Sequence, residues 1–162
     1  MPSFDEHINQ VNHNLTFLQK INNDVTECWD WQVTASFYTA LHLVNAHLSQ
    51  YGLQYRKHSD VNHALNFANQ LSASRLPQEI YISYMSLQSL SRRSRYLVSE
   101  KDNNLGENRA FLIFEKHLSK SFKHLEKILG YFKAIYQLKL INCSLKCDEI
   151  RSKQEFQTLK II

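Results

Sequence analysis

Glycine and proline are scarce in this chain, with three of the first and two of the second among 162 residues. A sheet-rich fold needs their turn chemistry about every eight to twelve residues, so the composition excludes one and predicts long helices. Long apolar runs are missing too. The greasiest segment, ILGYFKAIYQLKLI, is broken by Lys133 and Lys139, short of the roughly eighteen residues that a membrane span needs. The first residues, MPSFDEHINQ, are acidic and polar, where a secretory signal is basic and then apolar. The expectation is a cytoplasmic protein with no membrane partner.

Cysteine is limited to Cys28, Cys143 and Cys147, an odd number that leaves a thiol over in any disulfide scheme and suits a reducing compartment. Cys143 and Cys147 are spaced to approach on one helical turn, but no second pair or histidine pair at zinc-site spacing accompanies them. They are read as small apolar fillers, with no metal and no cofactor expected. Eight histidines are scattered, and none forms HExxH. A glycine-rich phosphate loop, a Ser/His/Asp order and a convincing carboxylate pair are also missing, so the common catalytic templates find no support.

What is present is charge asymmetry and helical periodicity. Residues 1–55 carry Lys20 against Asp5, Glu6, Asp24, Glu27 and Asp30, a net −4, while the remainder is at +8. A basic portion steers polyanions or an acidic partner, or docks on the acidic third of a second copy. Ser3 and Glu6 form a capping-box pattern ahead of Phe4, Ile8, Val11, Leu15, Leu18 and Ile21, which predicts a helix over about 4–22. Asp30 is expected to cap a second helix with Trp31, Thr34, Tyr38, Leu41, Val44 and Leu48 on its apolar face and Gly52 as its left-handed stop. A third starts at Ser59 or Asp60, carries Val61, Leu65, Ala68 and Leu71, and ends near Ser74. Pro77 and Glu79 open a fourth with Ile80, Tyr84, Leu87 and Leu90 inward and Arg92, Arg93 and Arg95 in its last turns.

After a turn-like segment at 101–108, the longest pattern runs through Phe111, Phe114, Leu118, Phe122, Leu125, Leu129, Phe132 and Tyr136. Its other side bears Lys116, Lys120, Lys123 and Lys127, a ridge that either follows a nucleic-acid backbone or is a solvated face. Residues 140–162 lack clear caps and are read as a short helix, a partner-binding arm or a partly disordered tail. The expected architecture is all-α: an antiparallel bundle of four to five helices over 1–139, one of them long and C-terminal, followed by that tail.

The stretches DWQVTASFYTALHLVNAHLSQYG, KHSD and LPQEIYISYMSLQSLSRRSRY, within about residues 29–96, resemble the HEPN superfamily of small helical bundles. In the matching branch a Trp, an aromatic pair, Ala, Leu and His lie on one helix. A His opens the next, and Ser-Arg-x-x-Arg-Tyr ends the one after. The resemblance implies a nucleotide- or RNA-binding or interaction module, often in defence, stress or toxin–antitoxin systems and commonly a homodimer. Its catalytic members are metal-independent ribonucleases with Arg, four to six residues, then His. Here Arg109 and His117 flank seven residues, with Ala110 where a polar residue is usual, and Arg56 and His63 flank six but straddle a loop. No catalytic residue is therefore assigned.

The matching positions Tyr38, His42, His58, Arg92, Arg95 and Tyr96 offer a polar pocket for a phosphate instead, if their helix faces meet. The plainer alternative is that Arg92 and Arg95 pair with Asp30 or Glu27 and cap carbonyls while His42 is a hydrogen-bonded core residue. Arg93, offset from the other two, is expected on plain surface. The function classes are thus a binding module, a divergent ribonuclease and a dimeric interaction protein.

Overall fold

The computed structural model describes residues 1–25, 27–96 and 113–162. The Arg109 motif position, Phe111 and the turn-like segment 101–108 lie outside them. The described chain is mostly helical: α1 (Phe4–Asp24), α2 (Trp29–Ser49), α3 (His58–Leu65), α4 (Gln78–Tyr96) and α5 (Glu115–Tyr136), followed by β1 (Cys143–Leu145), a 3₁₀ turn (Lys153–Glu155) and β2 (Leu159–Ile161). Among the described residues no helix is long and apolar enough to cross a membrane.

At the start of α1, Glu6 N–H donates to Ser3 Oγ at 3.2 Å and Ser3 N–H donates to the Glu6 carboxylate at 2.6 Å. Two donors that the first turn leaves over are thereby satisfied. Val11, Leu15 and Leu18 face the core from this helix. Gly52, at φ +67°, follows α2, and Leu53 N–H reaches back to Leu48 C=O at 3.0 Å, the left-handed stop expected there.

Helix α2 packs against α1, α4 and α5, and its buried surface is wider than the expected face, of which Thr34, Val44 and Leu48 are buried. Val33, Phe37, Ala40, Leu43, Val44 and His47 are buried, whereas Trp31 is 60% and Tyr38 36% exposed. With partners on several sides no single stripe decides burial. Ser36 and Thr39 can enter the core because their hydroxyls donate to the Gln32 and Ala35 carbonyls, each at 2.8 Å. Asp30 is not the cap: Cys28 holds that position, and Asp30 sits in the first turn.

Helix α3 also stops earlier than its pattern suggests. Asn66 Oδ1 accepts from Ala68 N–H at 2.9 Å, Asn69 Oδ1 accepts from Leu71 N–H at 3.3 Å, and Asn69 Nδ2 donates to His63 C=O at 3.2 Å. These side chains offer the backbone partners that a helix would otherwise supply. Leu71 ends up 99% exposed.

In α4, Ile80, Tyr84 and Leu87 are buried, and in α5 Leu118, Phe122, Leu125, Leu129 and Phe132 are. Phe114 is a correction to the expected seam: it precedes α5 and is exposed. His7 lies against His42 and Asn22 against Gln32 where α1 meets α2. Arg93 lies against His117 and Lys127 pairs with Glu79 where α4 meets α5.

Residues 140–162 form two short strands and one 3₁₀ turn, with no further α-helix, and are not a segment apart from the core. Strands β1 and β2 pair in parallel, Cys143 with Leu159 and Leu145 with Ile161. Cys143, Leu145, Cys147, Ile150, Leu159 and Ile161 belong to the same apolar cluster as the helices, so the core is continuous across position 139. The thiols are buried fillers on extended chain rather than one helical turn, and burial pushes Cys143 up to about 12.

The outer edge of β1 is satisfied by α1. Lys146 N–H donates to Asn22 Oδ1 at 2.7 Å and Asn22 Nδ2 donates to Lys146 C=O at 2.9 Å, while Ser144 N–H donates to Gln19 Oε1 at 2.6 Å. From α5 the buried Glu126 carboxylate accepts three backbone N–H groups, of Gln157, Thr158 and Leu159, at 2.8, 2.8 and 2.7 Å.

Candidate functional site

Tyr84, 0% exposed, packs against Phe37 with ring centroids 6.0 Å apart, and Phe37 lies 5.7 Å from the His58 ring. These contacts bring the start of α3 and the body of α4 against the same Phe37 ring of α2. The result is an open cleft of about 530 Å³ lined by His58, Ser59, Asn62, Gln88, Arg92, Arg95 and Tyr96. His58, Arg92, Arg95 and Tyr96 of the sequence-derived set therefore share one cleft.

Tyr38 joins at its side. Arg95 Nη1 donates to Tyr38 Oη at 3.3 Å, and the guanidinium carbon lies 5.7 Å from the Tyr38 ring centre and 5.2 Å from that of Tyr96. Arg95 Nε also donates to Ser91 C=O at 3.4 Å. One guanidinium is thus oriented by two aromatic rings and its own helix, in the manner of cation–π pairs. His58 is held below the ordinary imidazole range first by burial and then by Arg95 and Arg92. A neutral imidazole can accept a proton, and adjacent guanidiniums can bind the oxyanion from which one is displaced.

His42 is not in this cleft. Its Nδ1 lies 3.1 Å from His7 Nδ1 in the α1–α2 seam, and burial is the first cause and His7 the second of its lowered pKa. Arg93 is not plain surface either: its Nη1 lies 3.1 Å from His117 Nε2, linking α4 to α5. His117 Nδ1 faces Phe114 N–H at 3.0 Å, so this histidine helps to begin α5. His63, of the Arg56–His63 pattern, lies against Asn69 with Nε2 and Nδ2 3.3 Å apart.

Lys116, Lys120, Lys123 and Lys127 are exposed on α5, but the ridge is not uniformly basic. Lys127 pairs with Glu79 at 3.1 Å. Lys120, Lys123 and Lys127 border a groove of about 320 Å³ that Glu126, Glu155 and Phe156 also line. Among the described residues no cluster of three or more His, Cys, Asp or Glu side chains is placed to hold a metal ion.

Two features had no signal in the sequence reading. The Asn62 Nδ2 to Gln88 Oε1 bond at 2.9 Å forms part of the cleft wall; both residues are ordinary polar helix positions until α3 and α4 meet. The second is the Glu126 carboxylate, whose partners are main-chain groups more than thirty residues away. Comparison with protein-family models, with curated proteins and with solved structures finds no match to this chain.

Proposed function

We propose that the chain is an HEPN-like, antiparallel helical module that binds RNA or nucleotides in the cytoplasm through the cleft between α3 and α4, as an accessory component of a defence, stress or toxin–antitoxin system. The observation that carries the reading is the convergence of His58, Arg92, Arg95 and Tyr96 on one open cleft. Two guanidiniums give planar donor forks for a phosphate, and an imidazole beside them completes a mixed donor and acceptor site. The homodimer in this reading draws on the acidic first third and the basic remainder of the chain, which complement each other between copies.

A divergent metal-independent ribonuclease is the second reading, favoured by the lowered pKa of His58 next to Arg95 and Arg92. In it the neutral imidazole takes the proton of a ribose hydroxyl, and the arginines stabilise the charge that develops at phosphorus.

End-labelled single-stranded RNA, incubated in EDTA with the wild type, Arg95→Ala and His58→Ala, separates the readings. The binding module shifts RNA without cutting it, loses affinity steeply with added salt, and weakens about tenfold or more in Arg95→Ala. Cleavage that disappears in both variants establishes the nuclease. Intact and unshifted RNA with all three proteins sinks both and leaves a protein-interaction role.

A further inference from the structure

Arg95 lines a second depression as well. It borders a recess of about 240 Å³ together with Asp30, Trp31, Thr34 and Ser94. Trp31 stands at its edge 60% exposed, whereas Val33, Phe37 and Leu43 of the same helix are almost wholly buried. With Tyr38 and Tyr96, 36% and 65% exposed, it is the third exposed aromatic around the region of this guanidinium. A basic group set among exposed rings is how proteins hold unpaired bases: each ring offers a stacking face, and the cation sits by the phosphate.

We infer that this recess is a nucleobase pocket, in which the base of an unpaired nucleotide stacks on Trp31 while its phosphate occupies the cleft of His58, Arg92 and Arg95, and that Asp30 selects guanine. The inference rests on the proposed reading of that cleft as a phosphate site. Because Arg95 borders both spaces, a phosphate in one and its own base in the other need no further bridging group. The Asp30 carboxylate only accepts hydrogen bonds. Guanine presents two adjacent donors, N1–H and the 2-amino group, whereas uracil presents one donor between two acceptors. Ser94 Oγ donates to Ser91 C=O at 2.8 Å and lies 2.9 Å from Thr34 Oγ1, so Thr34 donates to Ser94 and its own oxygen keeps a lone pair that can accept from the base.

The test is an NMR titration of the full chain with inorganic phosphate, 5′-GMP and 5′-UMP, on the wild type, Trp31→Ala, Asp30→Asn and Arg95→Ala. The wild type is expected to bind GMP at least about tenfold more tightly than phosphate, the increment of one stacked base. Trp31→Ala is expected to reduce GMP to the affinity of phosphate while phosphate binding is retained, and Asp30→Asn to remove the preference of GMP over UMP. Phosphate binding that depends on Arg95, with GMP no tighter than phosphate, overturns the base pocket and leaves the cleft reading standing. Loss of self-association in Trp31→Ala, measured by sedimentation, with GMP affinity unchanged also overturns it and assigns Trp31 to a protein interface. If neither phosphate nor GMP binds, the cleft reading falls and the pocket with it.

Discussion

His47 is 4% exposed, and its Nε2 lies 3.0 Å from Ser74 C=O while its Nδ1 lies 2.7 Å from Tyr136 Oη. A carbonyl only accepts, so Nε2 carries a proton; burial disfavours a second one, and in the neutral ring Nδ1 accepts from the phenol. Truncation to His47→Ala leaves both partners unsatisfied beside a cavity, and is expected to cost about 2–4 kcal/mol in urea unfolding. His7, His42, His58, His117 and His124 share the lowered pKa, with burial as the leading cause at each, as it is at His47. For such a group the unfolded chain binds the proton more tightly than the folded one. Its contribution to stability is complete above the ordinary value of about 6.5, declines as pH falls below it, and stops declining once the folded-state value is passed. The urea midpoint should therefore drop between about pH 7.5 and 5.5. A midpoint that rises or stays level over that window contradicts this account. The His7–His42 pair adds to the drop, since two ring nitrogens facing each other can share one proton but not hold two.

The helices meet through polar groups as well as apolar ones, and α5 shows how one side chain can hold a remote segment. In Glu126→Gln the carboxamide has one acceptor oxygen where the carboxylate had two, and its NH₂ turns toward N–H groups that need acceptors. A loss of about 1–3 kcal/mol is expected. Faster amide exchange confined to residues 157–161, with α5 still protected, is the signature of a lost clamp. At the end of α2 the argument is purely about backbone. A Cβ at Gly52 meets nothing within 4 Å, so Gly52→Ala pays only for its φ of +67°, about 1–2 kcal/mol by thermal unfolding. The periodicity of α1, α4 and α5 was legible because each packs one stripe inward. That of α2 was legible only in part, Thr34, Val44 and Leu48 being buried while Trp31 and Tyr38 are exposed, because several neighbours surround it, and α3 was overrun because asparagine side chains compete with helical hydrogen bonds only once the chain has turned.

Across the molecule, residues 140–162 place Leu145 at 0%, Leu159 at 1% and Cys143 at 1% exposure against the helical core. A chain ending at residue 139 would expose the face of α1 that carries Leu15, whose carbonyl accepts from Cys143 Sγ at 3.5 Å. Such a truncation is expected to lower the thermal midpoint by more than ten degrees or so, because it removes several buried side chains and three bonds to Glu126. An unchanged midpoint would mean that the five helices hold the fold alone. The sequence by itself determined the helical class, the capping box of α1 and the stop at Gly52. These are local consequences of spacing, backbone preference and side-chain chemistry. Only the tertiary structure decided that Arg95 meets Tyr38, that His58 rather than His42 faces the arginines, and that Asn22, Gln19 and Glu126 supply the hydrogen bonds of a strand pair. Those contacts join residues far apart in the chain, where no local pattern records the pairing and the match of donors to acceptors exists only after the helices pack.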